Sequence, residues 1–256
     1  MREFAMKLGR DPGVLSRWET GERTPKPEQV AQILTTLGIN GERYEEIVAL
    51  AYGTDETLWV ATSLPEQRQQ LAAFIDYEQK ARTITEVSPL LVPGVLQVDD
   101  YIRAIMSGGG MSPSEVVTRF AIRVSRRAVL ARKEPVQFLA LIGEGVLRQV
   151  IGGREIMVEQ LRHLLDMCQR PNIDLRIVPY RSGWSPALEG AFTLIEPESA
   201  IPAVHIEARG SGLFLHDEDD VNAYRRAAEM VLQVALSPSD SIGLINQALD
   251  RWETSA

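Results

Sequence analysis

The stretch that most constrains this chain lies near its start, where RDPGVLSRWETGERTP runs from Arg10 to Pro25. Asp11 can accept hydrogen bonds from the free amides at a helix start, and Pro12 suits the first helical position. Gly21 can adopt the left-handed conformation that ends a helix. These residues therefore predict one short helix that begins at Pro12 and ends near Thr20.

The predicted helix has two different sides. Leu15 and Trp18 are three residues apart and share one face, whereas Gly13, Ser16 and Arg17 fall on the other. We therefore expect one side to pack against the protein and the other to remain available for recognition.

Neighbouring segments predict further short helices. The first predicted helix has Phe4, Ala5 and Leu8 on one face and ends at Gly9. The third begins near Pro27, ends at Gly38 and has an inward face of Val30, Ile33, Leu34 and Leu37. A fourth covers about 41–52. Two short helices joined by a tight turn form a helix-turn-helix, whose second helix docks in the major groove of DNA. The sequence thus predicts a DNA-binding head.

The segments EFAMKLG, DPGVLSRWETGERTPKPEQV and LTTLGI resemble the Xre-type, repressor-and-Cro-like DNA-binding domain. The resemblance implies base-facing positions at Pro12, Gly13, Ser16 and Arg17, and phosphate neighbours at Arg23 and Lys26. Only Ser16 and Arg17 have side chains that can read a base by hydrogen bonding; a solvated surface charge is the alternative for Arg17. Domains of this family begin with one more helix, so we expect a truncated or misassigned start.

Composition describes an ordinary globular protein of two domains: 256 residues, 45% apolar and 24% charged. No apolar run is long enough to cross a bilayer and no secretion signal is evident, so we expect a cytoplasmic protein without a membrane partner. Cys168 is the single cysteine, and the three histidines are scattered. We expect no disulfide, metal site or cofactor.

The charge distribution limits how DNA can be contacted. The net charge is -8, which argues against a protein that coats nucleic acid with its whole surface. Residues 1–30, however, carry six basic and five acidic residues, so the acidity belongs to the rest of the chain. A near-neutral head on an acidic body is compatible with local DNA contact.

We predict a helix-turn-helix domain at 1–53, a linker at 54–62 and an effector domain at 63–256. Ser63 and Glu66 form a capping box that opens a long helix, whose apolar stripe is expected to contain Leu71, Phe74, Ile75, Ala81 and Ile84. Glu78 falls within this stripe and needs a partner, either an arginine or a ligand or partner protein. Residues 63–134 are predicted to be helical.

Two further helices complete this helical part. The first begins at Asp99 or Asp100, either of which can cap it; the second follows a capping box of Ser112 and Glu115. Its buried face is predicted to contain Val117, Phe120, Ala121 and Val124. Arginines lie on another side, at 119, 123, 126 and 127, and we interpret them as a solvated or ion-paired face, with DNA phosphate or an acidic partner as the alternative.

Residues 135–216 predict an α+β unit. Strands are expected at 138–142, 174–179, 191–196, 203–208 and 213–216, with the last three antiparallel because their connections are short. Residues 217–256 predict two terminal helices. The fold class is therefore mainly α with an α+β C-terminal part: a lambda-repressor-like head without its first helix, and a helical and small antiparallel-sheet effector domain.

Residues 71–250 resemble actinobacterial regulators that join an Xre-type head to a long domain of unassigned chemistry. The matching pieces are VPGVLQVDDYIRA, RFAIRVSRRAVLAR, FLALIGEGVLRQVIGG, MVEQLRHLL, PNIDLRIVP, EGAFTLIE and ALSPSDS. The resemblance implies antitoxin-like regulation, in which the regulator controls its own genes and binds a small partner protein encoded nearby.

The effector domain offers candidate ligand or partner residues but no recognised catalytic spacing. The loop YRSGWSPALEG can line a pocket beside a sheet, or Trp184 can cap the core. His205 and Glu207 are predicted to share one face of a strand. The candidates are Glu78, Arg148, Tyr180, Arg181, Trp184 and Glu207.

The sequence thus predicts a sequence-specific transcription regulator, acting as a dimer on double-stranded DNA, with no enzymatic activity. A small partner protein is the first expected signal and a small-molecule effector the second. The alternative is a ligand sensor or enzyme built on the α+β unit with a non-functional head; a deep pocket shared by Arg148, Trp184 and Glu207 would favour it.

Overall fold

The computed structural model describes residues 2–20, 23, 25–41, 43–45, 47–48, 58–60, 64–208 and 211–254. The chain divides into two compact units, Met1–Trp59 and Val60–Ala256. The division falls inside the predicted linker. Gly21, Ser63 and half of the fourth predicted helix (42, 46 and 49–52) lie outside the described residues.

The first unit contains the predicted short helices α1 (Arg2–Lys7), α2 (Pro12–Glu19) and α3 (Pro27–Thr36). Gly9 (φ 63°) and Gly38 (φ 74°) follow α1 and α3 in the left-handed conformation, as predicted. The core consists of Ala5, Leu8 and Leu15, with Phe4, Trp18 and Ile33 packed against them. Leu37, predicted to face inward, is 57% exposed because it follows the last turn of α3.

The second unit contains one sheet and six longer helices among its described residues. The strands are β1 (Leu58–Val60, at the unit boundary), β2 (Ala81–Ser88), β3 (Gln137–Gly143), β4 (Ile173–Val178), β5 (Phe192–Pro197), β6 (Ala203–Ala208) and β7 (Ser211–Leu215). The helices are α4 (Leu64–Lys80), α5 (Asp99–Gly108), α6 (Pro113–Arg126), α7 (Arg154–Met167), α8 (Glu218–Val234) and α9 (Pro238–Thr254).

The sheet has the strand order β1-β7-β6-β5-β2-β3-β4. β5, β6 and β7 are antiparallel neighbours, as predicted, and β2 pairs antiparallel with β5. β2, β3 and β4 are parallel, so the sheet is mixed rather than purely antiparallel. The fold class, mainly α with an α+β C-terminal part, is confirmed.

The prediction that residues 63–134 contain helices and no strand, with the long helix extending to Ile84, is wrong. The long helix ends at Lys80, and Ala81 and Ile84 belong to β2, in the middle of the sheet. β-branched Thr83, Ile84, Thr85 and Val87 favour a strand, and both faces of the sheet bury the apolar ones.

The two faces of the sheet differ in chemistry. One face packs against α8 through Val87, Leu141, Leu194 and Val204 of the sheet and Val231 of the helix. On the other face, neighbouring strands pair Glu86 with Thr193, Thr193 with His205, and His205 with Phe214. Because side chains alternate along a strand and align across strands, this row places polar groups under α4.

Two details of the helical layer differ from prediction. Asp99 and Asp100 lie in the first turn of α5, and the N-cap residue is Val98. The capping box of Ser112 and Glu115 does start α6, but none of the residues of α6 is buried and Val117 is 70% exposed. Arginines of α6, rather than its apolar residues, point inward because carboxylate and amide acceptors lie beneath them.

None of the described helices is long and apolar enough to cross a bilayer.

Candidate functional sites

The helix α2 presents a defined outer side. The Asp11 carboxylate accepts a hydrogen bond from the Gly13 amide at 2.8 Å and caps the helix, as predicted. Leu15 is 5% exposed and anchors the inner side, whereas Ser16 and Arg17 are exposed on the outer side. Pro12 and Gly13 are half-buried. The outer side therefore offers one hydroxyl and one guanidinium to a ligand.

The residues after α2 bring two more cations close to this side. The Arg23 amide donates to the Arg17 carbonyl at 3.1 Å, so the chain folds back over the end of α2. The Lys26 amide donates to the Gln29 side chain at 2.8 Å and starts α3. Arg23 and Lys26 are exposed, and with Arg17 they form a short basic surface suited to phosphate contact.

A second site lies under α4 and α6, and we call it the polar cluster: Glu78, Glu86, Arg123, Arg126, His205 and Glu207. Arg126 and Glu78 form a two-point ion pair, Nε to Oε2 at 2.7 Å and Nη2 to Oε1 at 2.9 Å. Their side chains are only 10% and 4% exposed. The Arg126 guanidinium also lies 4.6 Å from the Phe74 ring centroid. Glu78 is thus paired with an arginine.

Burial shifts the titration of two groups in the polar cluster. Loss of water around the Glu86 carboxyl raises its pKa to about 7, although Arg126 and Arg123 oppose the shift. The His205 ring contacts the rings of Phe74 and Phe214, at centroid distances of 4.5 and 4.7 Å, and burial lowers its pKa to about 4. At neutral pH the imidazole is therefore uncharged and Glu86 is close to its titration midpoint.

The polar cluster holds α6 against the rest of the second unit. Arg123 donates to the Gln97 side chain at 3.2 Å, and Arg127 pairs with Asp99 at 2.8 Å. No residue of α6 is fully buried, so these polar contacts add to a contact in which the apolar residues of α6 are at most half-buried. Glu207 is exposed at the margin, on the same strand face as His205, as predicted.

A third feature is the edge of the sheet where the parallel strands end. We call it the strand-end surface, formed by residues 89–91, 144–150 and 179–191. Glu144 accepts hydrogen bonds from Arg148 at 2.6 Å and from the Tyr180 amide at 3.0 Å. Partial burial raises the pKa of Glu144, but the Tyr180 amide, Arg148 and Arg181 outweigh it and lower the pKa overall. The Arg148 guanidinium lies 5.9 Å from the Tyr180 ring centroid.

The sequence candidates therefore fall into two places. Glu78 and Glu207 belong to the polar cluster, whereas Arg148, Tyr180, Arg181 and Trp184 belong to the strand-end surface. Trp184 is 62% exposed, so the expectation that it caps the core is wrong; the residues that follow it, Ser185, Pro186 and Ala187, are buried instead. A depression of about 310 Å³ lies elsewhere, lined by Val98, Glu155, Val158, Glu159, Arg162, His163 and Asp166. None of the six candidates lines it.

Sequence reasoning missed Glu86, Arg123 and Arg126 as members of a site. Glu86 was hidden by the helical interpretation of residues 81–84, although the β-branched run TITEV was a signal for a strand. A glutamate predicted on an apolar face requires a cation, so Glu78 indicated that an arginine such as Arg126 lies nearby.

Comparisons with known proteins bear on both units. Residues 71–247 match the family described as "Domain of unknown function (DUF5753)", and residues 1–43 match the family described as "Helix-turn-helix". No curated protein matches the chain. Among solved structures, the archaeal chromatin protein TrmBL2, described as showing a novel mode of DNA binding, is 12% identical. That match covers 88% of this chain and 70% of TrmBL2 with a TM-score of 0.33, which is too low to support an argument.

Proposed function

Since the chain belongs to the DUF5753 family and carries a helix-turn-helix at its N-terminus, we propose that it is a sequence-specific, DNA-binding transcription regulator of the Xre type. The observation that carries this proposal is the outer side of α2, where Ser16 and Arg17 are exposed opposite buried Leu15. Arg17 supplies base recognition, and Arg23 and Lys26 supply salt-dependent contact with phosphates.

The regulator acts as a homodimer, because one short reading helix makes too few base contacts for a specific site. Two reading helices related by a two-fold axis contact half-sites one helical turn of DNA apart. Footprinting on the DNA upstream of the chain's own gene tests this. We expect two protected half-sites about 10 base pairs apart. Uniform weak protection, or none, would contradict sequence-specific binding.

The second unit receives the signal by binding rather than by catalysis, and the protein acts in the cytoplasm as an antitoxin-like repressor. The resemblance of residues 71–250 to regulators with small partner proteins supports this part of the proposal. Pull-down of the full chain with the purified product of the adjacent small gene tests it. A stoichiometric complex is expected; no binding at micromolar concentration would contradict the antitoxin-like role.

A small-molecule effector remains the second candidate signal, and the polar cluster favours it. An arginine pair and three carboxylates meet there, and a charged ligand that displaces one partner would release α6. Hydrogen exchange of the backbone amides of α6 should then accelerate when that ligand binds. Unchanged exchange across a panel of charged metabolites that bind the chain would argue against this route.

A further inference from the structure

Exposed apolar side chains are concentrated on the strand-end surface. Six of the ten large apolar side chains that are exposed among the described residues lie there: Leu90, Leu91, Val150, Tyr180, Trp184 and Leu188. Strand pairing brings the three connections to one edge, since Ser88 lies opposite Ile142 and Gly143 lies opposite Val178. Concentrated apolar exposure of this kind marks an interaction surface.

The segment that carries Trp184 and Leu188 is held rigidly. The three residues between them are buried, so the loop is anchored in the core while Trp184 and Leu188 are 62% and 69% exposed. Gly183, at φ 73°, makes the turn that precedes Trp184. A Cβ on Gly145 would lie 2.7 Å from the Tyr180 hydroxyl, which shows how closely Tyr180 packs. Rigid aromatic groups lose little entropy on binding.

The charges on this surface differ between its two ends. Arg148 and Arg181 lie at the end next to β4 together with Glu144, whose pKa both arginines lower, so two cations and one carboxylate leave this end with a positive charge. Glu189 lies at the other end, near β5. Burial, then Asp220 and Glu189, raise the pKa of Tyr224, so both carboxylates lie close to it. β4 and β5 are three strand positions apart, which separates the two ends by about 14 Å.

We propose that the strand-end surface is a two-fold interface with a second copy of this chain. A two-fold contact pairs a surface with itself in the opposite direction, so a surface with a basic end, an apolar middle and an acidic end is complementary to its own copy. Arg181 of each copy then faces Glu189 of the other, and Trp184 and Leu188 pack in the middle. This deepens the proposed function, which requires a dimer but does not say where it forms.

The edge of the sheet at β4 is not available for pairing with a strand of a second copy. At β4 the Ile177 amide donates to the Ser241 hydroxyl at 3.0 Å, and the Ile177 carbonyl accepts from the Leu236 amide at 2.8 Å. A strand of another chain would have to displace both contacts, so sheet extension through β4 is disfavoured.

Sedimentation equilibrium of the purified full chain tests the proposal. We expect the unchanged chain to form a dimer. In the double variant Trp184→Ser/Leu188→Ser the dissociation constant of the dimer should rise at least a hundredfold, because each lost side chain occurs twice in a two-fold contact. The control is Ile201→Ser, which removes an equally exposed side chain (59%) from the connection between β5 and β6. It should dimerise like the unchanged chain.

A charge exchange makes the test specific to a two-fold contact. Arg181→Glu and Glu189→Arg should each weaken the dimer at least tenfold, and mixing the two variants should restore it as a heterodimer. A monomeric unchanged chain at 100 µM (~tenfold above a weak dimer constant of order 10 µM), or variants that dimerise normally, would overturn the proposal. Footprinting of the unchanged chain tests DNA binding independently. A failure of the proposed interface can therefore be distinguished from a failure of the proposed DNA-binding function.

Discussion

At the scale of single residues, the ion pair between Glu78 and Arg126 is a buried contact whose loss should destabilise the second unit. Both side chains are nearly buried, so removing Arg126 leaves the Glu78 carboxylate without its two hydrogen bonds at a place that water hardly reaches. Arg126→Met should lower the free energy of unfolding by about 3–5 kcal/mol. The double variant Glu78→Met/Arg126→Met should recover much of that loss.

Urea denaturation measures this, with Lys80→Met as the matched control. Lys80 pairs with Asp76 at 2.6 Å, but both side chains are more than half exposed. The control should therefore change stability by less than about 0.5 kcal/mol. If Arg126→Met and Lys80→Met lowered the free energy of unfolding equally, burial of the pair of Glu78 and Arg126 would not add to its contribution to stability.

Glu86 and His205 predict opposing pH dependences of stability. The pKa of Glu86 is raised from 4.5 to about 7, so the folded chain binds more protons in that window and stability falls as pH rises. The pKa of His205 is lowered from 6.5 to about 4, so the unfolded chain binds more protons there and stability falls as pH falls. In the unchanged chain the two effects oppose each other between about pH 4.5 and 6.5.

Single substitutions should expose each slope. Glu86→Gln leaves the His205 effect, so stability should fall by up to about 3 kcal/mol on acidification from pH 6.5. His205→Gln leaves the Glu86 effect, so stability should rise on acidification from pH 7. Urea midpoints at half-unit pH steps measure both. Slopes of the same sign in the two variants would contradict the assignment.

At the scale of elements, α5 shows how a helix start is supported from elsewhere in the chain. The Gln160 side chain of α7 accepts from the Val98 amide and donates to the Leu96 carbonyl, both at 2.8 Å, and Gln160 is fully buried. Gln160→Met should cost about 2–4 kcal/mol, because two buried backbone groups lose their partners.

Asp100→Ala is the control for this element. Its carboxylate pairs with Arg103 but is 57% exposed, so thermal denaturation should show a change of no more than about 0.5 kcal/mol. If Gln160→Met is as mild as Asp100→Ala, the start of α5 does not depend on α7.

The elements also show what the sequence can and cannot predict. Capping signals at Asp11 and Ser112 predicted helix starts correctly, because a cap is a contact between residues close in sequence. The inner face of α6 was predicted wrongly. Helical spacing tells which side chains share a face, but Glu78 and Gln97, distant in sequence, decide that Arg123 and Arg126 face inward.

The candidate sites follow the same rule. The outer side of α2 could be predicted because its residues are consecutive. The polar cluster could not, because it gathers residues from α4, β2, α6 and β6, and one of these elements was itself misread. The exposure of Trp184 also depends on tertiary structure, since the neighbouring Pro186 and Ala187 fill the core position that an aromatic side chain was expected to occupy.

At the scale of the whole molecule, the net charge of -8 disfavours DNA contact over the whole surface, so we expect the chain to contact DNA through a local basic surface. In the proposed function, Arg17 contacts bases, whereas Arg23 and Lys26 contact phosphates. Arg23→Ala should weaken binding to all DNA sequences by a similar factor and reduce the salt dependence by about one phosphate contact. Fluorescence anisotropy at several salt concentrations measures this; a loss confined to the operator would contradict a phosphate role.

In the proposed function, α2 reads DNA sequence through Arg17. The direct test is the ratio of affinities for the operator and for random DNA at one fixed salt concentration. Arg17→Ala should reduce this ratio at least tenfold, whereas Arg82→Ala, which removes another exposed charge, from the second unit, should leave it unchanged. An Arg17→Ala chain that keeps the full ratio would show that sequence is read elsewhere or not at all.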